Sequence, residues 1–347
     1  MIIFVLLIFL LCLYKIRFAG GDGAIFDDYM SKDGTAAIKG LFTLLIIVSH
    51  FSGYITPTNA LDQMYVVFQR LLGQLVVALF LFYSGYGILE SIKKKGEGYV
   101  AKMPVHRVLK LLCHFALAVL LFLVVQTLLG VKFPAKTVLL SLVGWESIGN
   151  SNWYVFVIMC AYIISWLGFS LCKSKKLPAL ILVTLLSFGL IYLLKTYRFV
   201  HWYDTFLCYP AGMWYSYFKE KIDGSFRGHS LRCYMAFAAV ILCFLGVRLL
   251  RRPTVLLLAA PLFSLGVVLF TMKVKVDNKI LRFFGEHLFE VYMLQRLPMI
   301  ALEKTALAAG NKYLYFAVCF AITIAIAWVF KKLLSALDRL TFDRKTA

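Results

Sequence analysis

Long apolar runs separated by short polar segments restrict the fold of this chain more than any other feature of its sequence. A run of roughly 20 apolar residues is what a helix needs to cross the ~30 Å hydrocarbon core of a bilayer. Of the 347 residues, 62% are hydrophobic and only 16% are charged, and a soluble protein of this length could not bury that much apolar surface. We therefore predict an all-α fold, a polytopic integral membrane helical bundle.

The apolar runs predict about ten core transmembrane helices and one extra N-terminal helix. The first segment lacks the basic region and cleavage site of a signal peptide, so it is kept as a marginal span. Pro210 predicts a kinked or tilted helix in the seventh span. The predicted spans are 2–14, 39–55, 65–91, 104–129, 152–171, 177–195, 204–218, 231–249, 254–272, 280–301 and 312–334.

Four regions follow from these spans. The extra N-terminal transmembrane helix occupies 1–19, and a polar, glycine-rich cytoplasmic linker that we predict to be a surface loop occupies 20–36. The membrane domain covers 37–335 and a cytoplasmic tail covers 336–347. Within the membrane domain, the mixed segment 131–151 is interpreted as an external loop with room for a re-entrant piece.

The distribution of lysine and arginine predicts the orientation in the membrane. If the Lys39 end of the second span faces the cytoplasm, six inward-facing segments hold 26 of the 37 Lys and Arg residues: 15–39, 92–110, 173–176, 219–232, 273–282 and 331–347. The positive-inside rule requires this asymmetry. It places the N-terminus outside and the C-terminus inside, with Arg248, Arg251 and Arg252 as exceptions on the outer side.

The net charge of +20 has a simpler origin than nucleic-acid binding. The cations punctuate the apolar runs, and no basic patch with interleaved aromatic residues lies outside them. The eight cysteines are scattered singly without a C-x-x-C pair, which favours neither a disulfide framework nor a metal site. We expect membrane lipid around the chain, and no nucleic acid and no metal.

The segment from Lys39 to Tyr54 carries a cation at its foot and a histidine further up. Lys39 and His50 are about three helical turns apart, on one face and roughly 16 Å apart along the axis. A titratable imidazole about halfway through a membrane is costly, which makes His50 a candidate for function. The alternative is a histidine that donates a hydrogen bond to a carbonyl of a neighbouring helix.

Arg107 and Lys110 are three residues apart and therefore neighbours on one helix face, also at a cytoplasmic foot. Together with Lys39 they would suit a polyphosphate ligand, because each cation can pair with phosphate oxygens. The alternative is three ordinary topology-determining cations. With His50 as a general base above them, the arrangement suggests group transfer across the bilayer.

The sequence resembles the acyltransferase 3 family, integral-membrane enzymes of bacteria that acylate cell-envelope and secreted molecules. Lys39 and His50 keep the family's spacing of an arginine, ten residues and a histidine, with Lys in place of Arg. Arg107 and Lys110 match its R-x-x-R pair, with Lys in the second place. Further similar segments are LFLFYSGYG with Ser84, Gly85 and Tyr86, Asn152-Trp153-Tyr154, Pro210-Ala211-Gly212-Met213, and FFGEHLFEVYMLQ, where Leu288 and Gln295 stand near the family's Ser and His.

This resemblance, over roughly residues 35 to 335, implies a membrane O-acyltransferase in a bacterial cytoplasmic membrane. The donor is expected to be a cytoplasmic acyl-CoA, most simply acetyl-CoA, with its anionic end at Lys39, Arg107 and Lys110. The acceptor would be a hydroxyl of an extracytoplasmic sugar or other envelope molecule. His50 would act as general base or carry the acyl group itself, and the sequence leaves the acceptor, the acyl chain and the oligomeric state open.

Other polar and aromatic residues complete the expected site. Glu290 is the one acid deep in a span, and it could orient His50 or form a structural pair with another cation or with His114. Small residues such as Ser84 and Gly85 permit close helix approach. The expected substrate-binding cavity walls are Ser84, Tyr86, Trp153 and Tyr292.

A transporter or flippase for a small anionic or glycan substrate is the alternative function, because a bundle with polar groups at mid-membrane could also carry a solute. Transporters commonly contain an internal repeat or paired broken helices. The two halves of this sequence show no convincing similarity, which favours the enzyme.

Overall fold

The computed structural model of the protein describes residues 1–250 and 252–342, and most of them are helical. The first half contains α1 (Ile2–Leu13), α2 (Ala36–Phe51), α3 (Ala60–Leu72), α4 (Leu75–Lys95), α5 (Glu97–Met103), α6 (Lys110–Leu128), α7 (Ala135–Leu142), α8 (Trp153–Leu171) and α9 (Lys176–Tyr197). The second half contains α10 (Cys208–Phe226), α11 (Ser230–Leu250), α12 (Pro253–Leu256), α13 (Ala259–Lys273), α14 (Lys279–Glu286), α15 (Leu288–Leu294), α16 (Arg296–Leu302), α17 (Ala306–Gly310) and α18 (Lys312–Thr341). The predicted all-α class is confirmed.

Within the described residues, eight helical stretches are long and apolar enough to cross a membrane. They are Ala36–Tyr54, Ala60–Lys95, Glu97–Leu128, Trp153–Leu171, Lys176–Tyr197, Ser230–Leu250, Thr254–Lys273 and Lys312–Thr341. The other two predicted core spans correspond to α10 and to the consecutive helices α14, α15 and α16. The predicted extra helix α1 has 12 residues and a length of about 18 Å, which is shorter than a ~30 Å hydrocarbon core.

Two of the predicted core spans differ in detail from what the structure shows. Pro210 is the third residue of α10, in the first turn, where a missing N–H breaks no intrahelical hydrogen bond. The expected kink at Pro210 is therefore wrong, and the helix begins there instead. The predicted span 280–301 is interrupted at His287 and at Gln295, so one expected helix is three short ones.

Two glycine contacts hold the centre of the bundle together. A Cβ on Gly40 of α2 would lie 1.7 Å from the carbonyl oxygen of Leu281, and a Cβ on Gly285 of α14 would lie 1.8 Å from that of Ala36. Only glycine permits two helix backbones to approach so closely. The contact fixes α2 against α14 and thereby the position of every side chain on α2.

Helices α4 and α10 meet in the same way through Gly85 and Gly212. A Cβ on Gly85 would lie 2.0 Å from the carbonyl oxygen of Tyr209, and a Cβ on Gly212 would lie 1.9 Å from that of Phe82. The expectation that Gly85 allows close helix approach is confirmed. The contact fixes the rotation of α4, which carries Ser84 and Tyr86.

The linker before α2 is more ordered than the surface loop that the sequence predicts. Its preceding strand β1 (Ile16–Phe18) pairs antiparallel with β2 (Val274–Val276). The side chains of Tyr29 and Met30 are buried, and Asp28 pairs with Lys275. The polar composition of the linker thus reflects ion pairs with the loops beside it as well as exposure to water.

Three of the cations used to predict the orientation, Arg251, Arg344 and Lys345, lie outside the described residues. Arg248 of α11 donates a hydrogen bond from Nη2 to the carbonyl oxygen of Leu71, at 3.0 Å. Segment 131–151, predicted as an external loop, contains the eight-residue helix α7.

Candidate active site

A cavity of about 960 Å³ lies at the end of the bundle where α2 begins. We call it the inner cavity, after the predicted orientation. Because α2 begins at Ala36, Lys39 is in its first turn, and it lines this cavity together with Ser84 and Tyr86 of α4. Arg107 reaches the cavity from a π-helical turn, Pro104–Leu109, between α5 and α6. The structure therefore brings together four of the predicted site residues.

The inner cavity carries an excess of positive charge. Its cationic residues outnumber its acidic ones by six to three; they are Lys32, Lys39, Lys93, Lys94, Arg107 and Lys219 against Asp27, Glu90 and Glu220. Some of this charge is neutralised locally, since Lys93 pairs with Glu90 at 2.8 Å. The surplus makes the cavity suited to an anion with several phosphate groups.

Arg107 and Lys110 have different surroundings although they are one helical turn apart. Arg107 donates from Nε to the Tyr99 hydroxyl at 2.9 Å, which fixes the guanidinium at the cavity wall. Lys110 pairs with Asp338 of α18 at 2.8 Å. Of the two, only Arg107 lines the inner cavity, and both line an adjacent depression of about 570 Å³. The predicted pair is thus divided between one residue that lines the inner cavity and one that joins α6 to α18.

A second cavity, of about 680 Å³, lies at the other end of α2. We call it the outer cavity. His50 is the last residue but one of α2 and lines this cavity. It is half-buried, and its Nδ1 is buried without a hydrogen-bond partner. A buried imidazole nitrogen without a partner has an unsatisfied capacity to accept or donate a proton, which is what a base in contact with a substrate requires.

Two buried tyrosines lie between His50 of the outer cavity and Ser84 of the inner one. The rings of His50 and Tyr292 have centroids 6.1 Å apart, and those of Tyr292 and Tyr154 are 5.5 Å apart. Tyr154 interacts in turn with Ser84, which faces the inner cavity together with Tyr162. We call Tyr154 and Tyr292 the tyrosine partition. Tyr292 was expected in the cavity wall; it contacts His50 but lines neither cavity, so its place in substrate binding stays a prediction.

Trp153 and Glu290 lie away from His50. The Trp153 ring is 5.9 Å from that of Tyr154 and 5.8 Å from that of His201, and Trp153 lines neither cavity. Glu290 precedes Tyr292 by two residues, about 200° around the helix. The charged groups nearest to it are Lys331, His287 and His114, but its Oε2 is buried without a hydrogen-bond partner and no ion pair of Glu290 occurs among the described residues. The choice between its two roles therefore stays a prediction.

His114 has a structural partner of its own. Its Nε2 is 2.7 Å from Oδ1 of Asp338, the same carboxylate that pairs with Lys110. This contact joins α6 to α18, and it agrees with the interpretation of His114 as a packing residue.

Several residues around His50 were missed by the sequence analysis. Arg296 lines the outer cavity and donates from Nε to the Tyr54 hydroxyl at 3.1 Å. Gln69 and Gln126 also line it. Arg296 could have been noticed, because it directly follows the segment FFGEHLFEVYMLQ and is one of the few cations outside the six segments predicted to face inward. The two glutamines carry no comparable signal in the sequence.

Comparison with known proteins identifies one family. The model of the acyltransferase 3 family, described as an acyltransferase domain, matches residues 36–332. The match begins at the first residue of α2 and ends within α18, so it contains the outer cavity, the tyrosine partition and every residue of the inner cavity from Lys39 onward. No curated protein and no solved structure matches the chain.

Proposed function

The chain belongs to the acyltransferase 3 family, and we propose that it transfers an acyl group from a cytoplasmic acyl-CoA to a hydroxyl of an extracytoplasmic glycan or other envelope molecule. The membrane bundle and the family support a membrane acyltransferase in general. The donor, the acceptor, the role of His50 and the location in a bacterial cytoplasmic membrane, with the N-terminus outside and the C-terminus inside, are parts of the proposal.

The charge of the inner cavity supports an acyl-CoA donor. Its surplus of cations, Lys39 and Arg107 among them, would pair with the phosphates of the nucleotide end of CoA. Lysine contributes a point charge where the family's arginine offers a planar fork, so Arg107 would supply the more directional contact. The narrow pantetheine arm would then extend along α2 toward the tyrosine partition. The proposal requires no metal.

The outer cavity supports an acceptor that approaches from the opposite side. A hydroxyl bound there would place its oxygen beside His50, which removes the proton as the oxygen attacks the thioester carbonyl. The C–O bond of the new ester forms, the C–S bond breaks, and the proton passes from His50 to the CoA thiolate. In the relay alternative, an imidazole nitrogen attacks the thioester carbonyl, the C–S bond breaks, and the CoA thiolate leaves with the proton of the other ring nitrogen. The acceptor hydroxyl then attacks the acyl-imidazole, the C–N bond breaks, and the hydroxyl proton returns to the imidazole.

One observation carries the proposal: Nδ1 of His50 is buried without a partner in a cavity that meets the tyrosine partition, while the cationic cavity lies on the other side of that partition. A histidine that only stabilises packing would have a hydrogen-bond partner for its buried nitrogen.

The test measures transfer of labelled acetyl groups from acetyl-CoA to envelope material in membranes that contain each variant. We expect His50→Ala and His50→Gln to insert, to bind acetyl-CoA, and to transfer about 100 to 10,000 times more slowly, the usual contribution of a general base. His229→Gln changes an exposed histidine and serves as the matched control. Near-normal transfer by His50→Gln would contradict the role of His50 and favour a transporter.

A further inference from the structure

Arg296 has an unusual position for an arginine in a membrane bundle. It begins α16 directly after Gln295, whose backbone is still α-helical, and it lies one helical turn beyond Tyr292, which contacts His50. Its side chain lines the outer cavity with His50. The two residues interact electrostatically. Any acceptor that reaches His50 must therefore also meet the guanidinium of Arg296.

The hydrogen bonds of Arg296 leave most of its guanidinium unused. Its Nε donates to the Tyr54 hydroxyl at 3.1 Å, and its guanidinium carbon is 5.8 Å from the centroid of the Tyr54 ring. Both contacts are with Tyr54, whose hydroxyl and ring carry no charge. Among the described residues no carboxylate forms an ion pair with Arg296, and Glu303, the acidic residue of the same cavity, is exposed at its rim. The two terminal nitrogens thus face the cavity.

Two other arginines on the predicted outer side, Arg198 and Arg248, form hydrogen bonds within the protein and serve as a comparison for Arg296. Arg198 lies 3.8 Å from the ring centroid of Trp145 and donates to Trp145 O and to Glu146 at 2.7 and 3.2 Å. Arg248 donates to the backbone carbonyl of Leu71. In both cases a terminal nitrogen has a protein acceptor, whereas Arg296 uses only Nε and keeps its fork toward the cavity.

The other polar groups of the outer cavity suit a polyhydroxylated ligand. Gln69 donates to Ser52 Oγ at 2.9 Å and Gln126 donates to Ile148 O at 3.0 Å, so both amide groups are held in fixed positions at the wall. Lys304 adds a second cation at the exposed rim. A half-buried cation without a counter-ion is costly, and an anionic group on the ligand would compensate it.

We infer that the acceptor carries an anionic group, a carboxylate or a phosphate, and that Arg296 binds this group so that a neighbouring hydroxyl lies against His50. This inference rests on the proposed function and names the class of its acceptor. Arg296 determines specificity: it holds the acceptor through two parallel N–H···O bonds, a geometry that lysine cannot reproduce. An acceptor without an anionic group would leave the guanidinium of Arg296 without an ion-pair partner in the enzyme–acceptor complex.

The experiment uses membranes that contain the full-length protein, labelled acetyl-CoA, and three preparations of envelope polymer from host cells that lack the protein. One preparation is untreated, the second has its carboxyl groups chemically reduced to alcohols, and the third is dephosphorylated. We expect the wild type to lose at least tenfold in transfer to one of the treated preparations, and the identity of that preparation distinguishes carboxylate from phosphate. Equal transfer to all three would overturn the inference and leave the proposed function standing.

Variants of Arg296 separate recognition from folding. Arg296→Gln should raise the KM for untreated polymer at least tenfold, with an unchanged affinity for acetyl-CoA as the sign of a folded protein. Arg296→Lys should recover part of the loss, and neither variant should distinguish treated from untreated polymer as strongly as the wild type does. Lys132→Gln, at an exposed position outside both cavities, is the control. An Arg296→Gln variant that transfers normally contradicts the inference alone. Absence of transfer by the wild type to any preparation contradicts both it and the proposed function.

Discussion

Lys39 and His50 belong to the same helix, α2, but line two different cavities on opposite sides of the tyrosine partition. Eleven residues, about three turns, carry the chain from the cationic cavity to the outer one. The Gly40–Gly285 contact holds this helix in place between them. A cofactor anchored at one end of α2 can therefore present its reactive end at the other, provided that it passes Tyr154 and Tyr292.

The tyrosine partition makes a prediction about coupling. Tyr292→Phe keeps the ring, so we expect transfer within about threefold of the wild type. Tyr292→Ala removes it and joins the two cavities, so water should reach the thioester. The expected result, measured as release of free CoA without added acceptor, is faster acetyl-CoA hydrolysis in Tyr292→Ala than in Tyr292→Phe. Equal hydrolysis in the two variants would show that the ring does not separate the cavities.

The donor site predicts unequal effects of two neighbouring cations. Arg107→Ala removes a charge-assisted contact worth about 1.5–3 kcal/mol, so CoA affinity should fall roughly ten- to hundredfold. The loss should be smaller for a dephosphorylated CoA fragment. Lys110→Ala should change CoA affinity much less, because Lys110 pairs with Asp338, and should instead lower thermal stability. Equal effects of both variants on CoA affinity would contradict this division.

The orientation predicts the accessibility of single cysteines. In a background without the native cysteines, Lys132→Cys should react with a membrane-impermeant maleimide in intact cells. Lys95→Cys should react only after the cells are permeabilised. Both lysines are exposed, so burial does not limit either reaction. Labelling of position 95 in intact cells would contradict the predicted orientation. It would also place the inner cavity on the side of the membrane opposite to cytoplasmic acyl-CoA.

The sequence was sufficient to predict the features that depend on spacing along one helix. The length of the apolar runs predicted eight of the core spans, and the eleven-residue spacing of Lys39 and His50 predicted a shared face of one helix, α2. The spacing of Arg107 and Lys110 predicted neighbours, but not that Asp338, 228 positions along the chain from Lys110, would pair with one of them. Such a partner depends on how distant helices pack, and the local pattern contains no record of it.

Arg296 and the glutamines of the outer cavity were missed for a related reason. Hydropathy treats 280–301 as one apolar run, whereas the chain breaks at His287 and Gln295. Arg296 lies one helical turn beyond Tyr292, which contacts His50, so the packing of this segment beside the end of α2 brings Arg296 to the site. Gln69 belongs to α3, and only the packing of α3 beside the end of α2 brings it to the site.

The close contact of α2 and α14 predicts a steric effect on stability. Gly40→Ala places a methyl group 1.7 Å from a backbone oxygen, so the helices must separate, and overpacking of this kind costs about 1–3 kcal/mol. Gly189→Ala in α9 meets nothing within 4 Å and should be neutral or slightly stabilising, because alanine favours helix. Thermal unfolding in detergent is the measurement. Equal melting temperatures for the two variants would contradict the backbone contact.

The loop before α10 predicts a dependence of stability on pH. Burial raises the pKa of Asp204 to about 7, and its Oδ1 is buried without a hydrogen-bond partner. In the unfolded chain the same carboxyl titrates near 3.9. A raised pKa means that the folded protein binds the proton more tightly than the unfolded chain does, so stability should fall as the pH rises from about 4 to about 7 and then level off. Asp204→Asn cannot ionise, so it should remove this part of the pH dependence. Its melting temperature should exceed that of the wild type at pH 7.5, and the difference should shrink as the pH falls toward 4.5.

Because other groups titrate equally in both proteins, the difference between the melting temperatures of wild type and Asp204→Asn at each pH reports on Asp204 alone. A constant difference over this range would mean that Asp204 is already ionised in the folded protein.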